Sequence, residues 1–454
     1  MSIAHVPKHI LSKSTFMYGC QCPKRLWLHK FMPEVRDEED EEQSAIFQSG
    51  TNVGLLARQL FPGGIDASPT TPYLYQQSVA DTERYISDGH TIIYEAAFQY
   101  EGVLCAIDIL VKNENNWYAY EVKSSTSVKP PQVQDAALQY YVITNAGLVL
   151  NDFFIVHLNN GYIRYGALDI AQLFTPTSVL EQVQELQTFI IEKAAELKKV
   201  LKLKTAPDIE TGAQCDKPYP CDFYGYCSKD KEEEEPDYGK AFINKEAILD
   251  FTNGIEYPLY FMDFETWMAA VPEQDGHWPY RQVNFQFSVH VQEAPESPLE
   301  HHYYLADGPH STQQEFIETL LKVLGTEGSI VVYNQAFENT RLRELKEEFP
   351  NLETAITAAQ DRIVDLMAPF RKNYRLPEMQ GSYSIKYVLP ALVPELSYAS
   401  LIINNGGDAS AAFYNLKDEN DLEKITAVRN ALLEYCGLDT IAMVKVLEKL
   451  REVV

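Results

Sequence analysis

The sequence predicts a mixed α/β fold arranged in two domains, and three observations lead to this prediction. Its 454 residues exceed one ordinary domain of about 150 residues. Hydrophobic residues make up 45% of the chain and charged residues 23%, the composition of a folded globular protein. Both halves contain short apolar runs typical of strands, followed by amphipathic patterns typical of helices.

The acidic run KDKEEEEPDYGK at Lys229–Lys240 marks the predicted domain boundary. Blocks of like charge repel one another and usually remain solvated. We therefore expect a first domain over residues 1–228, an acidic linker over 229–240 and a second domain over 241–454.

Strand and helix patterns follow one another in the first half. The predicted strands are Thr91–Tyr100, Val103–Val111, Trp117–Val122 and Phe153–Leu158, and the predicted helices are Gln132–Thr144 and Thr177–Lys204. In the second half, we predict strands at Leu259–Glu265, Val283–Val291, His301–Leu305 and Ser329–Tyr333, a helix at Gln314–Leu324 and mainly helices thereafter.

Charge and cysteine content exclude several classes of protein. The net charge of −27 argues against a polybasic nucleic-acid binder, although it leaves room for a nuclease with a local basic groove. Seven cysteines are too few for a disulfide-rich secreted scaffold. The first residues lack the apolar core of a signal peptide, and no apolar run approaches the roughly 18–20 residues of a membrane span. We expect a cytoplasmic protein with reduced thiols and no membrane partner.

The first chemical constellation consists of Asp108, Glu121 and Lys123 on neighbouring predicted strands. Glu121 and Lys123 are two residues apart, so they project from one face. Two close carboxylates repel unless a cation lies between them, and a divalent metal supplies that cation and activates water. The alternative is a surface strand with alternating charges.

These residues resemble the PD-(D/E)xK nucleases of the RecB type, whose core is a set of strands followed by a helix. The matching positions are Glu95, Asp108, Glu121, Lys123, Asp135 and Gln139. The resemblance implies that Asp108 and Glu121 bind Mg²⁺ or Mn²⁺. Where that family often carries a metal-binding histidine, this sequence has Gly54, and Glu95 is the candidate substitute.

Cys215, Cys221 and Cys227 form an evenly spaced trio, and Cys22 lies far upstream in CPKRLWL beside Cys20. Thiolates suit zinc or an iron–sulfur cluster, and unligated core cysteines are the third alternative. The arrangement resembles the iron–sulfur staple of RecB-like nucleases of the CRISPR-adaptation and AddB types. The resemblance implies a 4Fe-4S cluster on Cys22, Cys215, Cys221 and Cys227. The two cysteines in apolar segments, Cys105 and Cys436, are expected in the core.

The second chemical constellation lies in the C-terminal half. Asp263 and Glu265 share one face of the apolar strand YFMDFETW, where burial of two carboxylates is costly without a metal. Glu338 follows the strand VVYN, and Tyr435 and Asp439 are four residues apart on one helical face.

In this order the residues resemble the DEDD (RNase H-like) exonucleases of the tyrosine-bearing subclass. The resemblance implies that Asp263, Glu265 and Asp439 bind Mg²⁺ or Mn²⁺ and that Tyr435 orients the attacking water. Glu338 stands where that family has aspartate, so its carboxylate reaches about 1.5 Å further. Asp365 and Ser384–Lys386 fall at further motif positions of that family. The alternative for Asp365 is a purely structural role.

The whole chain resembles a bacterial domain-of-unknown-function family that fuses an iron–sulfur RecB-like module to an exonuclease-like module. The resemblance implies a PD-(D/E)xK domain followed by an RNase H-like domain, with nucleic acid as the partner and DNA favoured over RNA. Basic groups that could contact it are Lys24, Arg25, His29, Lys30, Arg371, Lys372 and Arg375. Two other classes stay open: a nucleic-acid-binding module with degenerate sites, and an adaptor with a protein partner in a repair or defence complex.

Overall fold

The computed structural model describes residues 9–37, 52–71, 74–229, 238–311 and 313–454, and the fold is mixed α/β. Its chain divides into two compact units. Unit 1 contains residues 1–232 and 270–280, and unit 2 contains residues 233–269 and 281–454. Most of the predicted acidic linker lies outside the described residues.

Unit 1 combines a large sheet with helices. Its strands are β1 (Leu11–Ser12), β2 (Ile65–Asp66), β3 (Ile92–Tyr100), β4 (Val103–Asn113), β5 (Asn116–Val122), β6 (Leu150–Leu158) and β7 (Phe174–Ser178). Its helices are α1 (Lys13–Gln21), α2 (Pro23–Phe31), α3 (52–57), α4 (Tyr75–Ser87), α5 (Pro130–Asn145), α6 (Ile170–Leu173), α7 (Leu180–Glu185), α8 (Gln187–Val200) and α9 (Tyr224–Ser228).

The sheet of unit 1 has the order β2-β3-β4-β5-β6-β7, with β1 paired to β4. Strands β3, β4 and β5 form an antiparallel meander, while β5 and β6 are parallel and connected through α5. Side chains alternate between two cores, so Ile93 joins one cluster and Tyr94 the other. Helix α5 packs on β3, β4 and β6 and brings its polar residues towards the centre of the sheet.

Unit 2 also combines one main sheet with helices. Its strands are β8 (Phe242–Ile243), β9 (Leu259–Met268), β10 (Gln282–Gln292), β11 (Leu299–Leu305), β12 (Ser329–Val332), β13 (Ile363–Asp365) and β14 (Tyr374–Arg375). Its helices are α10 (Lys245–Asn253), α11 (Gln313–Leu324), α12 (Gln335–Glu348), α13 (Glu353–Gln360), α14 (Ala368–Lys372), α15 (Ile385–Leu392), α16 (Gly406–Asn415) and α17 (Leu422–Val453).

The main sheet of unit 2 has the order β11-β10-β9-β12-β13. Strands β9, β10 and β11 are antiparallel neighbours, whereas β12 pairs in parallel with both β9 and β13. Leu259 and Phe261 pack with α17 on one face, and Tyr260 and Met262 pack with α11 on the other. Because side chains alternate along β9, Asp263 and Glu265 point to the same face as Phe261.

The predicted strands and most predicted helices are confirmed, with bounds that shift by a few residues. The predicted helix Thr177–Lys204 is wrong at both ends. Its first residues belong to β7, which pairs with β6, and the helical region then runs as α7 and α8 and ends at Val200. Among the described residues, no helix is long and apolar enough to cross a membrane.

Candidate functional site

Four carboxylates of unit 2 come from three elements, β9, α12 and α17, and interact electrostatically. Asp263 and Glu265 project from β9, next to a β-bulge in its pairing with β10. Glu338 lies in the first turn of α12, directly after β12. Asp439 comes from α17, which packs on β9 and β10. The negative charges of Asp439, Glu265 and Glu338 all act on Asp263.

Burial dominates the electrostatics of this acidic cluster. Burial and the neighbouring carboxylates raise the pKa values of Asp263 and Glu265 well above their ordinary range. Burial also raises the pKa of Glu338 to about 8 and that of Asp439 to about 6. Lys386 partly offsets the charge at Glu265 and Asp439. The cluster therefore favours either protonated carboxyl groups or a bound cation.

Two tyrosines hold the carboxylate of Asp439. The hydroxyl of Tyr398 donates a hydrogen bond to Asp439 Oδ1 at 2.7 Å. Tyr435, one turn earlier on α17, also hydrogen-bonds to Asp439 and lowers its pKa. The two tyrosine rings meet edge to face, with centroids 6.3 Å apart. The two hydroxyl groups thus orient the carboxylate of Asp439. Tyr435 lies beside the carboxylates with which the sequence analysis grouped it.

Cys436 also belongs to this cluster. Its thiol lies 3.7 Å from Asp263 Oδ2. One ligand atom each of Asp263, Glu265 and Cys436 falls within 4.8 Å of the other two, a grouping that can hold a metal ion. The sequence placed Cys436 in the core, and it is fully buried, but its contact with a carboxylate was not expected.

One buried oxygen supports the fit of this cluster to a cation. Glu338 is 1% exposed, and its Oε2 has no hydrogen-bond partner in the described part of the chain. A buried polar atom without a partner costs about 1–3 kcal/mol. Carboxylate oxygens are the ligands that Mg²⁺ and Mn²⁺ prefer, so the donor set fits these ions.

Asp365 serves the local backbone of unit 2. Its Oδ1 accepts hydrogen bonds from the amides of Asn334 and Met367, each at 3.0 Å. Its Oδ2 lies 3.6 Å from the guanidinium of Arg371. Asn334 has a left-handed φ of 74° at the start of α12, so Asp365 stabilises the turn that orients Glu338. These contacts agree with its structural interpretation.

Four predicted site residues of unit 1 line one cavity of about 530 Å³: Glu95, Asp108, Glu121 and Lys123. Lys123 Nζ contacts Glu121 Oε1 at 2.7 Å and Asp135 Oδ2 at 2.8 Å. Lys13 Nζ contacts the same glutamate oxygen at 2.7 Å. Asp108 Oδ2 accepts a hydrogen bond from the Val122 amide at 2.6 Å.

Charge is distributed unequally between the two carboxylates of this cavity. Burial, reinforced by Glu121, raises the pKa of Asp108 to about 8. Burial also opposes ionisation of Glu121, but Lys123 and Lys13 outweigh it and lower its pKa to about 2. Glu121 is therefore ionised at neutral pH, and Asp108 is the group that a cation would ionise.

Glu95 lies on the strand that neighbours Asp108 and has an unusual backbone. The paired residues on either side are Tyr94 with Ile109 and Ala96 with Ile107, and Glu95 and Asp108 both line the cavity. Its φ of 53° is left-handed, which is strained for a non-glycine residue inside a strand. Its Oε1 lies 3.5 Å from Arg58. Such strain is typical of functional sites.

Gly54 lines the same cavity, and a Cβ placed there would meet nothing within 4 Å. The space for a side chain is present, but the ligand is not. Gln139 is fully buried on α5, one turn after Asp135, and neither amide atom has a hydrogen-bond partner among the described residues.

The four predicted cluster ligands line a single pocket. These residues are Cys22, Cys215, Cys221 and Cys227. Among the described residues, no three of their sulfurs form a group within 4.8 Å. Sulfurs bound to one zinc ion at about 2.3 Å would lie closer together than that. Cys20 packs elsewhere, in the main core of unit 1.

Several of the basic groups predicted to contact nucleic acid are engaged within unit 1. Arg25 is buried and lies 2.7 Å from Asp222, and it also covers the ring of Tyr18. Lys24 Nζ donates to the Ile209 carbonyl at 3.2 Å. Arg25 is 9% exposed and paired with Asp222, and its contact with nucleic acid stays a prediction.

Sequence reasoning missed two residues of these sites. Lys13 directly follows Ser12, the residue that caps α1. A cation in the first turn of a helix is unfavourable, and this unusual position was the signal that could have indicated Lys13. Tyr398 is 41 residues from Asp439 in a region of short turns, and no local pattern indicated it.

Comparison with known proteins gives relatives that carry no functional description. Residues 260–384 match a family described as a domain of unknown function, DUF2779. The chain is 27% identical to the uncharacterized protein UU173 of Ureaplasma parvum over 227 residues, which is 44% of this chain and 32% of the relative. It is 29% identical over 214 residues to the uncharacterized protein MG366 homolog of Mycoplasma pneumoniae, which is 42% of this chain and 32% of the relative. The matched region spans about a third of either relative.

Proposed function

We propose that the chain is a metal-dependent nuclease and that unit 2 is a 3′–5′ exonuclease of the RNase H-like DEDD type. One observation carries this proposal: Asp263, Glu265, Glu338 and Asp439 converge from three elements in a buried cluster with a partnerless oxygen. Burying four carboxylates together is costly unless divalent cations bind them. The 3′–5′ direction rests on the sequence resemblance.

The side chains of this cluster divide the work. Asp263, Glu265, Glu338 and Asp439 would hold Mg²⁺ or Mn²⁺, which would supply positive charge near the scissile phosphate and help to activate water. Tyr435 would orient the attacking water. Tyr398 fixes the rotamer of Asp439 through its 2.7 Å hydrogen bond. Lys386 adds a positive group near Glu265 and Asp439.

Unit 1 is proposed to carry a second nuclease site, of the RecB-like PD-(D/E)xK type. Asp108 and Glu121 would hold Mg²⁺ or Mn²⁺, and Lys123 would bind the phosphate. Glu95 is proposed to replace the histidine whose position Gly54 occupies, because Glu95 lines the same cavity as Asp108. The four cysteines around one pocket are proposed to hold a 4Fe-4S cluster.

The substrate is proposed to be nucleic acid, with DNA favoured over RNA. The second candidate is a nucleic-acid-binding or adaptor protein in repair or defence. The absence of a side chain at Gly54 and the longer Glu338 favour that alternative, because each departs from a catalytic motif.

The test of the proposed function is cleavage of end-labelled single- and double-stranded DNA and RNA by the full chain, with and without Mn²⁺. We expect Mn²⁺-dependent trimming from the 3′ end. Asp263→Ala should abolish it, whereas Asp361→Ala, which removes an exposed aspartate of the same unit, should not. Binding without cleavage in Mn²⁺ would favour the alternative function.

The test of the cysteine centre is metal content. Protein purified without oxygen should contain iron and sulfide and absorb visible light, and Cys221→Ser should lose both and destabilise unit 1, since cluster binding adds to folding free energy. Stoichiometric zinc without iron would contradict the iron–sulfur proposal.

A further inference from the structure

Lys13 occupies a position that helix energetics disfavours. It is the first residue of α1, directly after Ser12, whose side chain accepts a hydrogen bond from the Thr15 amide as the helix cap. The amino end of a helix carries partial positive charge, so a cation there costs about 0.3–1 kcal/mol. β1 pairs with β4 immediately before this residue and fixes where α1 begins. A residue that breaks a local rule is often held there by function.

The ammonium group of Lys13 duplicates the contacts of Lys123. Its Nζ lies 2.7 Å from Glu121 Oε1 and 4.0 Å from Asp135 Oδ2, the two atoms that Lys123 also contacts. The Lys13 side chain is 26% exposed, and it lines the cavity together with Asp108. It is therefore accessible to a ligand.

The charges of the cavity give Lys13 a specific role. Arg58 contacts Asp66 at 2.6 Å as well as Glu95 at 3.5 Å, so its charge is already engaged. The two lysines face Asp108, Glu121 and Asp135, and these three carboxylates, once ionised, exceed the two lysines by one negative charge. A divalent cation converts this excess to one positive charge, which matches one phosphodiester. Without Lys13, the site with its cation would be neutral, and a phosphodiester would leave it negative.

We propose that Lys13 is a second phosphate-binding lysine of unit 1, which binds the backbone of the nucleic acid beside Lys123 once a divalent cation is bound. This inference rests on the proposed nuclease function of unit 1 and adds a substrate contact to it. Its distinctive consequence is that the contribution of Lys13 to binding depends on the divalent cation.

The experiment measures affinity for a short fluorescein-labelled oligothymidine by fluorescence anisotropy. The full chain carries Asp263→Asn to remove the cation contribution of unit 2, and Ca²⁺ replaces Mn²⁺ to prevent cleavage. Lys13→Met removes the charge and keeps the apolar stem, and Lys13→Arg keeps the charge. Lys198→Met is the matched control, because Lys198 is a lysine of the same unit with similar exposure, paired with Glu101.

In Ca²⁺, Lys13→Met should weaken binding about tenfold or more, as expected for a charged hydrogen bond. It should also lower the slope of log affinity against log salt by about 0.7. Lys13→Arg should restore most of the affinity, and Lys198→Met should change it less than about twofold. In EDTA the variants should bind alike, because without the cation Lys13 stays engaged by Glu121 and Asp135.

Other outcomes overturn the inference. Equal effects of Lys13→Met and Lys198→Met in Ca²⁺ would mean that Lys13 contacts no phosphate. If Lys13→Met changes the affinity for Tb³⁺, used as a luminescent probe of the cation site, but leaves the affinity for DNA unchanged, Lys13 is only a counter-ion of Glu121. Both results leave the nuclease proposal intact if Mn²⁺-dependent cleavage by unit 1 persists. A parent protein without any divalent-dependent binding or cleavage would overturn both proposals.

Discussion

The two acidic sites of this chain solve the same electrostatic problem in opposite ways. In unit 1, Lys13 and Lys123 contact Glu121 directly and hold its pKa near 2. In unit 2, Glu338 is buried without such a contact among the described residues, and burial raises its pKa to about 8. The first site carries its own cations, whereas the second relies on hydroxyl groups, a thiol and the more remote Lys386.

This difference indicates what each site gains from a metal ion. A divalent cation at unit 2 would convert a group of largely protonated carboxyls into ligands, so binding there should release protons. A cation at unit 1 would join a site that already contains an ionised Glu121, and it would act mainly on Asp108, whose pKa is about 8. The units should therefore respond differently to pH and to loss of a lysine.

The largest expected effect is the loss of Lys123 in unit 1. With unit 2 silenced by Asp263→Ala, Lys123→Ala should lower the remaining Mn²⁺-dependent cleavage by about 10²–10³-fold, because it removes a positive group aimed at the phosphate. Folding should persist, since Lys13 still contacts Glu121. Initial rates on end-labelled DNA measure the effect.

Lys198→Ala in the same background is the control, because it removes a lysine of unit 1 outside the cavity. An unchanged cleavage rate in Lys123→Ala would mean that the site of unit 1 does not catalyse cleavage and that only unit 2 is a candidate nuclease.

The second prediction concerns pH and stability in EDTA. The raised pKa values of Glu338 and Asp439 mean that native unit 2 binds more protons than its unfolded form. Its free energy of unfolding should therefore fall by a few kcal/mol as pH rises from about 5 to 8. Each unit of pKa shift contributes about 1.4 kcal/mol. Glu121 of unit 1 acts oppositely, and its stabilisation is lost as pH falls towards about 2. Urea unfolding followed by tryptophan fluorescence measures both trends.

Saturating Mn²⁺ should remove the loss of stability between about pH 5 and about pH 8, because the ion stabilises the ionised carboxylates. The double variant Glu338→Gln, Asp439→Asn should remove most of it without metal. If stability instead rises with pH in EDTA, the carboxyls of unit 2 are already ionised and the contrast between the units fails.

Much of the fold was predictable because apolar periodicity is local. Strands such as Ile92–Tyr100 and Leu259–Met268 bury alternate or continuous apolar residues, and their bounds differ little from the predicted ones. The failure at Thr177–Lys204 has a tertiary cause. Pairing with β6 keeps the chain extended through Ser178, although its side chains also suit a helix.

The acidic residues of both sites could be proposed from their order and spacing, because residues two apart, such as Asp263 and Glu265, share one face of any strand. Contacts between distant segments could not. Lys13 reaches Glu121 across 108 positions, and Tyr398 reaches Asp439 across 41. Cys436 was expected in the core from its apolar segment, and it is buried there. Its contact with Asp263 could not be expected, because it depends on how α17 packs against β9.

The smallest expected effect comes from Glu338→Asp, which tests whether the acidic cluster is adjusted to the longer side chain. Glu338 is 1% exposed, and its Oε2 has no hydrogen-bond partner among the described residues. Shortening it by one methylene should cost about 1 kcal/mol of stability. Its carboxylate would retreat by about 1.5 Å from the other three, so kcat/KM in Mn²⁺ should fall several-fold. Thermal unfolding and initial rates measure the two effects. Higher activity in Glu338→Asp would mean that the glutamate is a handicap and that unit 2 works below the rate of an aspartate-containing site.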